Sequence, residues 1–196
     1  MSDPIRVNWN GVDYLCTVRT VPPEPEWTFP VGEGQFPPER WYAATVHSLD
    51  GSLNANGYKH SGLDLNLDVS PYGDIERILG LAVYAVTDGI VTYVTDNWSG
   101  VPMIVMRVQH NDAPLWIRYA HIVPCVMINQ VVKAGQALGG FANWGGMDGG
   151  DHLHFDMAFN EYQREWLSPL IKWVDPVNVL VQHLDPNVVE AMLKKG

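Results

Sequence analysis

Between about residues 43 and 159 the apolar residues fall in short runs of period two, each ended by a turn signal. Leu63, Leu65 and Leu67 alternate with Asp64, Asn66 and Asp68. Further strand-like runs cover residues 82–86, 90–95, 103–109, 115–121 and 152–159, separated by Asp88-Gly89, Ser99-Gly100, Asn111-Asp112 and a glycine-rich stretch ahead of His152. On a strand successive side chains face opposite sides, so each run can bury one face. Many such runs in succession predict a mainly β fold, an antiparallel β-sandwich or open barrel.

The ends of the chain read differently. Ile5, Val7 and Trp9 alternate before Asn10-Gly11, and Val12, Tyr14, Cys16 and Val18 after it, which predicts a hairpin because both turn residues need positive φ. Residues 21–40 hold Pro22, Pro23, Pro25, Pro30, Pro37 and Pro38 and read as an extended wrap. Asp175-Pro176 and Asp185-Pro186 each set a capping carboxylate before a proline at the first helical position, predicting short helices over 176–184 and 186–195, the second closed by Gly196. The expected division is a hairpin and wrap over 1–42, a β domain over 43–184, and a terminal helix over 185–196 packed on that domain.

With 196 residues, 46% of them hydrophobic, the chain can bury a core without a metal or disulfide. Any metal site should therefore serve chemistry. A formal net charge of -10 argues against nucleic acid as partner and against electrostatic capture by an anionic membrane or wall polymer. No stretch reaches the ~20 apolar residues of a membrane span, and the first residues lack the basic and apolar regions of a secretory signal. Cys16 and Cys125 are distant and lack metal-site spacing, so neither pairing nor compartment follows from them.

Of the seven histidines, His60, His121, His152 and His154 make sense together. In His152-Leu153-His154-Phe155-Asp156-Met157 both imidazoles share one strand face, with Leu153, Phe155 and Met157 on the other, core side. The histidine face should be a floor open to a cleft or solvent. One imidazole can then hold a metal while its neighbour, about 7 Å along, acts on substrate. His60 and Asp64 would lie about 13 Å apart on a straight strand, too far to share an ion. The Leu63-Leu65-Leu67 period rules out a helix, so a bend at Ser61-Gly62 is expected, with Gly62 supplying the conformational freedom. Two neutral nitrogens and one carboxylate, with a fourth position left for water, are the donor set of a catalytic zinc site.

These motifs resemble those of the lysostaphin-like, LytM-type zinc metallopeptidases, peptidase family M23. His60-x-x-x-Asp64, Tyr119-Ala120-His121 and His152-Leu153-His154-Phe155 are similar in order and spacing. So are the flanks, Val83-Tyr84-Ala85-Val86-Thr87-Asp88-Gly89-Ile90-Val91 and Val131-x-x-Ala134-Gly135-Gln136-x-Leu138-Gly139, over about residues 43–180. The resemblance implies that His60, Asp64 and His154 bind one Zn2+ per chain, and that His121 and His152 are the catalytic pair, with His152 favoured as base. It implies a monomeric endopeptidase acting on peptidoglycan peptide, either glycine bridges or stem links containing D-alanine and a diamino acid. Acidity favours the stem link. A non-catalytic peptidoglycan-binding or amidase-activating relative is the alternative, and intact ligands argue against it. Asp151, where the family often has an uncharged residue, reads as a turn residue. The 69–81 loop, with Trp98, Tyr119 and Trp144, supplies substrate-groove candidates, while His47, His110 and His183 are left as structural. Without a signal, delivery to the wall or periplasm is expected through a phage holin or virion, as for an endolysin or virion-associated lysin. The N-terminal part could also serve particle assembly.

Overall fold

The computed structural model describes residues 5–9, 12–16, 27–32, 37–48, 59–67, 80–98, 100–142, 151–165 and 167–194, the first two segments as backbone alone. In chain order the elements are β1 (Ile5–Trp9), β2 (Val12–Cys16), a 3-10 turn at Pro38–Arg40, β3 (Trp41–Thr45), β4 (Gly62–Leu67), β5 (Ala82–Tyr84) and β6 (Gly89–Trp98). Then follow β7 (Val101–His110), β8 (Ala113–Ala120), β9 (Ile122–Pro124), β10 (Val131–Val132), β11 (Ala137–Phe141), β12 (Leu153–Ala158), β13 (Trp173–Val174), α1 (Pro176–Leu180) and α2 (Pro186–Lys194).

The strands build a large sheet in the order β10-β6-β7-β8-β12-β4-β3, with β13 added to β12, and a small sheet in the order β5-β11-β9. β1 and β2 form the expected hairpin, Trp9 opposite Val12, with Asn10-Gly11 outside the described residues. Every strand pair described is antiparallel, and neither sheet closes into a barrel. The mainly β, antiparallel expectation holds.

The period-two runs do what their pattern dictates. Across the middle of the large sheet, Ile104 pairs with Tyr119, Tyr119 with Phe155, and Phe155 with Leu63. These four, with Met106, Ile117, Leu153 and Leu65, face the small sheet's Val83, Leu138 and Phe141 in one core. The next row, one residue along each strand, must face the other way. That row runs Ala120, His154, Asp64, and beside it run Arg118, Asp156, Gly62. The register thus delivers the polar residues of three strands to one patch on the side away from the core.

That side is not the open floor expected from the sequence. Trp98 and Val101 cluster over it with the row's own Met103 and Ala120, and Tyr162 and Ile171 cluster with Ala158, so β12 is buried on both faces. The covering side chains come from β6, β7 and the 160–173 segment, which no local period in β12 could announce.

Within the described part of the proline-rich stretch, Trp27–Gly32 runs extended along β5. Thr28 N donates to Val86 O at 2.7 Å, and Tyr84 N donates to Pro30 O at 2.8 Å. Trp27 stacks on His183 with ring centroids 4.3 Å apart, and His110 Nδ1 lies 3.1 Å from His183 Nε2, so these two histidines fasten the wrap. Residues 21–26 and 33–36 lie outside the described residues.

At the C-terminus the Asp175 carboxylate accepts from Val177 N at 2.9 Å, and Asp185 Oδ1 accepts from Asn187 N at 2.9 Å, as capping requires. α1 stops four residues earlier than the pattern predicts. Its last turn tightens to Gln182 N→Val179 O and His183 N→Leu180 O bonds, because Pro186 bars helical backbone at Asp185. α2 packs on β3 and the 3-10 turn, burying Val189 and Met192; Lys195 and Gly196 lie outside the described residues.

Candidate functional site

Asp64 sits directly across the β4–β12 ladder from His154. His60 precedes β4, beyond a backbone bend at Ser61, and the bend folds its ring back over the strand. The ring atoms meet: His60 Nε2 lies 3.1 Å from Asp64 Oδ1, His154 Nδ1 3.0 Å from Asp64 Oδ1, and His60 Nε2 3.1 Å from His154 Nδ1. The expected bend is present, but Gly62 serves differently from expectation. It is an ordinary strand residue, and a Cβ there would stand 2.2 Å from Phe155 O and 2.6 Å from Asp156 Cβ. Its role is to let β4 approach β12.

Three ligating atoms in a triangle of sides near 3 Å are what a small cation needs. Bonds near 2.1 Å at tetrahedral angles place donors about 3.4 Å apart. The group His60, Asp64 and His154 is the one among the described residues that could hold a metal ion. Its donors, two imidazole nitrogens and one carboxylate oxygen, fit Zn2+ and leave a corner unprotected. Burial opposes ionisation of Asp64, but the close His154 and His60 rings outweigh it and hold the carboxyl well below its usual range.

The other two histidines stand beside the triangle. His152 Nε2 lies 3.6 Å from Asp64 Oδ1, and the His121 and His152 rings are 4.4 Å apart between centroids. Both are nearly buried, at 6% and 8% exposure. His121 links β8 of the large sheet to β9 of the small one and carries a positive φ of 65°. Burial first, then the neighbouring His152 and His154, push its pKa well below the ordinary imidazole value. It is a neutral base or donor at neutral pH.

Of the groove candidates, Tyr119 is corrected. It is fully buried in the core, its hydroxyl accepting from Val86 N at 3.1 Å, because it falls on the odd row of β8 that faces the small sheet. Trp98 is nearly buried. Its ring lies 5.9 Å from that of His154 and 6.4 Å from that of His121, and its Nε1 donates to Arg164 O at 3.1 Å. Trp144, most of the 69–81 loop and the glycine-rich stretch lie outside the described residues. Asp151 is buried at the entry to β12.

Three residues escaped the sequence reading, Arg118, Asp156 and Tyr162, and Ser61 enters it only as part of the bend. Asp156 is wholly buried and takes Ser61 Oγ at 2.7 Å, Tyr162 OH at 2.6 Å, Arg118 Nε at 3.1 Å, Arg118 Nη2, and His154 Nε2 at 2.9 Å. Burial raises its pKa, yet the Arg118 guanidinium and the His154 bond pull it far below the usual range. One signal was present in the sequence: His152, His154 and Asp156 are three polar residues in a row on one strand face.

Known proteins share this architecture. The solution structure of lysostaphin superposes with a TM-score of 0.53 at 21% identity, covering 81% of this chain and 54% of that one. The structure of LytU gives 0.55 at 23% identity, covering 80% and 94%. At such identities the likeness is one of fold. Among curated proteins, Ligand-gated ion channel 4 of Caenorhabditis elegans is 28% identical over 102 residues, which is 49% of this chain and 16% of that protein. The model of peptidase family M23 matches residues 59–165, more than half of the chain and every residue of the histidine site. The chain belongs to peptidase family M23.

Proposed function

We propose that this protein is a zinc-dependent endopeptidase that hydrolyses peptide cross-links of bacterial peptidoglycan, with residues 43–184 as its catalytic unit. The observation that carries the reading is the convergence of His60 Nε2, Asp64 Oδ1 and His154 Nδ1 at 3.0–3.1 Å, inside the segment matched by a peptidase family. The fold likeness to lysostaphin and LytU agrees with it.

His60, Asp64 and His154 are the residues that hold the ion. When bound, Zn2+ supplies Lewis acidity and brings the pKa of a coordinated water toward ~7. Everything else falls to the chain. His152, 3.6 Å from Asp64 through its Nε2, takes the proton released by the attacking water and returns it to the leaving amine. His121, kept neutral, donates a hydrogen bond to the carbonyl oxygen as charge grows on it. Trp98 packs over the polar row and lowers its exposure, which strengthens each of these interactions.

The reading predicts that His154→Ala removes both stoichiometric zinc and peptide release from purified sacculi. His152→Ala should remove release and keep the metal. Metal content by elemental analysis, with mass analysis of released fragments from walls of both types, tests this and identifies the bond cut. Full activity in a metal-free His154→Ala protein overturns it.

A further inference from the structure

Resting on the reading of His60, Asp64 and His154 as zinc ligands, we propose that Asp156 is the positioning residue of the site. It fixes the proton of His154 on Nε2, so commits Nδ1 to the ligand triangle, and ties the His60 and His121 segments to one carboxylate.

A neutral imidazole has one N–H and one lone pair, and its surroundings decide which nitrogen carries which. Asp156 lies two residues beyond His154 on the same strand face, its Oδ2 2.9 Å from Nε2. On the opposite side of the ring, Nδ1 is 3.0 Å from Asp64 Oδ1. Asp64 is an acceptor too, so the two carboxylates divide the ring between them: with Asp64 serving a bound ion, Asp156 would be the acceptor left for the ring's N–H, and the Nδ1 lone pair would face the ion.

The other donors explain why the acceptor cannot move. Ser61, adjacent to His60, bonds Oδ2, and Arg118, on the strand leading to His121, bonds both oxygens. Tyr162 bonds Oδ1, and Arg118 Nη1 is itself held by Glu165 O at 2.9 Å. Five donor contacts converge on a carboxylate that has about four lone-pair sites. Each of the three segments bearing a site histidine therefore has a tether to Asp156. A plain structural ion pair would need Arg118 alone; here a proposed ligand shares the same oxygen. Carboxylates behind metal-bound histidines orient the ring and raise its basicity in just this geometry.

The test compares Asp156→Asn with Tyr162→Phe, measuring zinc affinity by chelator competition and thermal unfolding of the metal-free proteins. Tyr162→Phe removes a donor from the same carboxylate without touching His154. It should lower the metal-free melting temperature and cost zinc affinity far less than Asp156→Asn does, because Ser61 and Arg118 still hold the carboxylate against His154. Asp156→Asn should weaken zinc binding about 10- to 100-fold. Equal losses of affinity in the two variants, or none in Asp156→Asn, overturn the proposal. Asp156→Asn also strips a buried guanidinium of its counter-ion, so the zinc-loaded wild-type protein supplies an independent decision by 15N NMR. A slowly exchanging proton on His154 Nε2 is expected; a proton on Nδ1, or an Nε2 proton in free exchange with water, overturns the proposal. A wild-type protein that binds zinc and cuts, beside an Asp156→Asn protein of equal affinity, sinks this inference alone. A wild-type protein that takes up no zinc sinks the zinc reading and this inference together.

Discussion

His121 shows how a single residue is placed at a cost. Left-handed backbone is unfavourable by about 1–2 kcal/mol for a residue with a Cβ, and His121 adopts it at φ 65°. Two backbone bonds hold it there: its own N donates to Pro102 O at 3.0 Å, and Ala142 N donates to its carbonyl at 2.9 Å. The kink carries the chain from one sheet to the other and leaves the imidazole against His152. Burial then disfavours the imidazolium, and the neighbouring His152 and His154 add to that. The sign of the consequence is fixed. Below the unfolded value of about 6.5 the unfolded chain takes up a proton that the native site refuses, so this residue's contribution to stability is full above that pH and declines beneath it. The His121 ring C–H resonances should titrate with a midpoint below 6.5, and the acid limb of kcat/KM that reports His121 should lie below 6.5 as well. An NMR midpoint at or above 6.5 contradicts the burial argument.

At the scale of elements, the contact of β4 with β12 brings the proposed ligands Asp64 and His154 together, and Gly62 is where that contact is most demanding. Alanine there would put a methyl carbon 2.2 Å from Phe155 O, and the backbone cannot yield without moving Asp64 from His154. Gly62→Ala should therefore cost about 3 kcal/mol in urea unfolding and lose zinc with it. Gly100→Ala is the control. Its φ is 91° with nothing within 4 Å of a new Cβ, so it meets backbone strain without a clash and should keep its zinc. Wild-type zinc affinity in Gly62→Ala would show that the strands can separate without disturbing the ligands. This element was partly legible beforehand. The alternation of Leu63, Leu65 and Leu67 announced a strand, and the His152-x-His154 spacing announced a shared face, because both rest on a two-residue period. The opposition of Asp64 and His154 was not legible, since pairing across 90 positions leaves no trace in either segment. For the same reason Tyr119 read as a groove residue when its row faces the core, and Asp156 passed unremarked until Arg118 appeared opposite it.

For the whole molecule, the two faces of the large sheet divide the labour. One carries the core of Ile104, Met106, Leu115, Ile117, Tyr119, Phe155 and Leu63 against the small sheet. The other carries the histidines beneath Trp98 and Tyr162. The core shares strands with the site yet none of its side chains belongs to the triangle, so the fold should outlast loss of the metal. Composition points the same way, since a chain of this size and hydrophobic content can bury a core without an ion. What composition could not foretell was the second cover over the polar row. Its Trp98 and Tyr162 arrive from distant segments and turn an expected open floor into a largely buried one. Zinc should then act as a ligand of a folded protein. At about 100 times its dissociation constant it adds about 2.7 kcal/mol to the native state, which for this length raises the melting temperature by about 5–10 °C. Treatment with a chelator should lower the melting temperature by that amount while leaving the far-UV circular dichroism at 25 °C unchanged, and added zinc should restore it. Collapse of the β signal on chelation would mean that the ion holds the sheets together, as in small structural zinc domains, and that the core does not carry the fold alone.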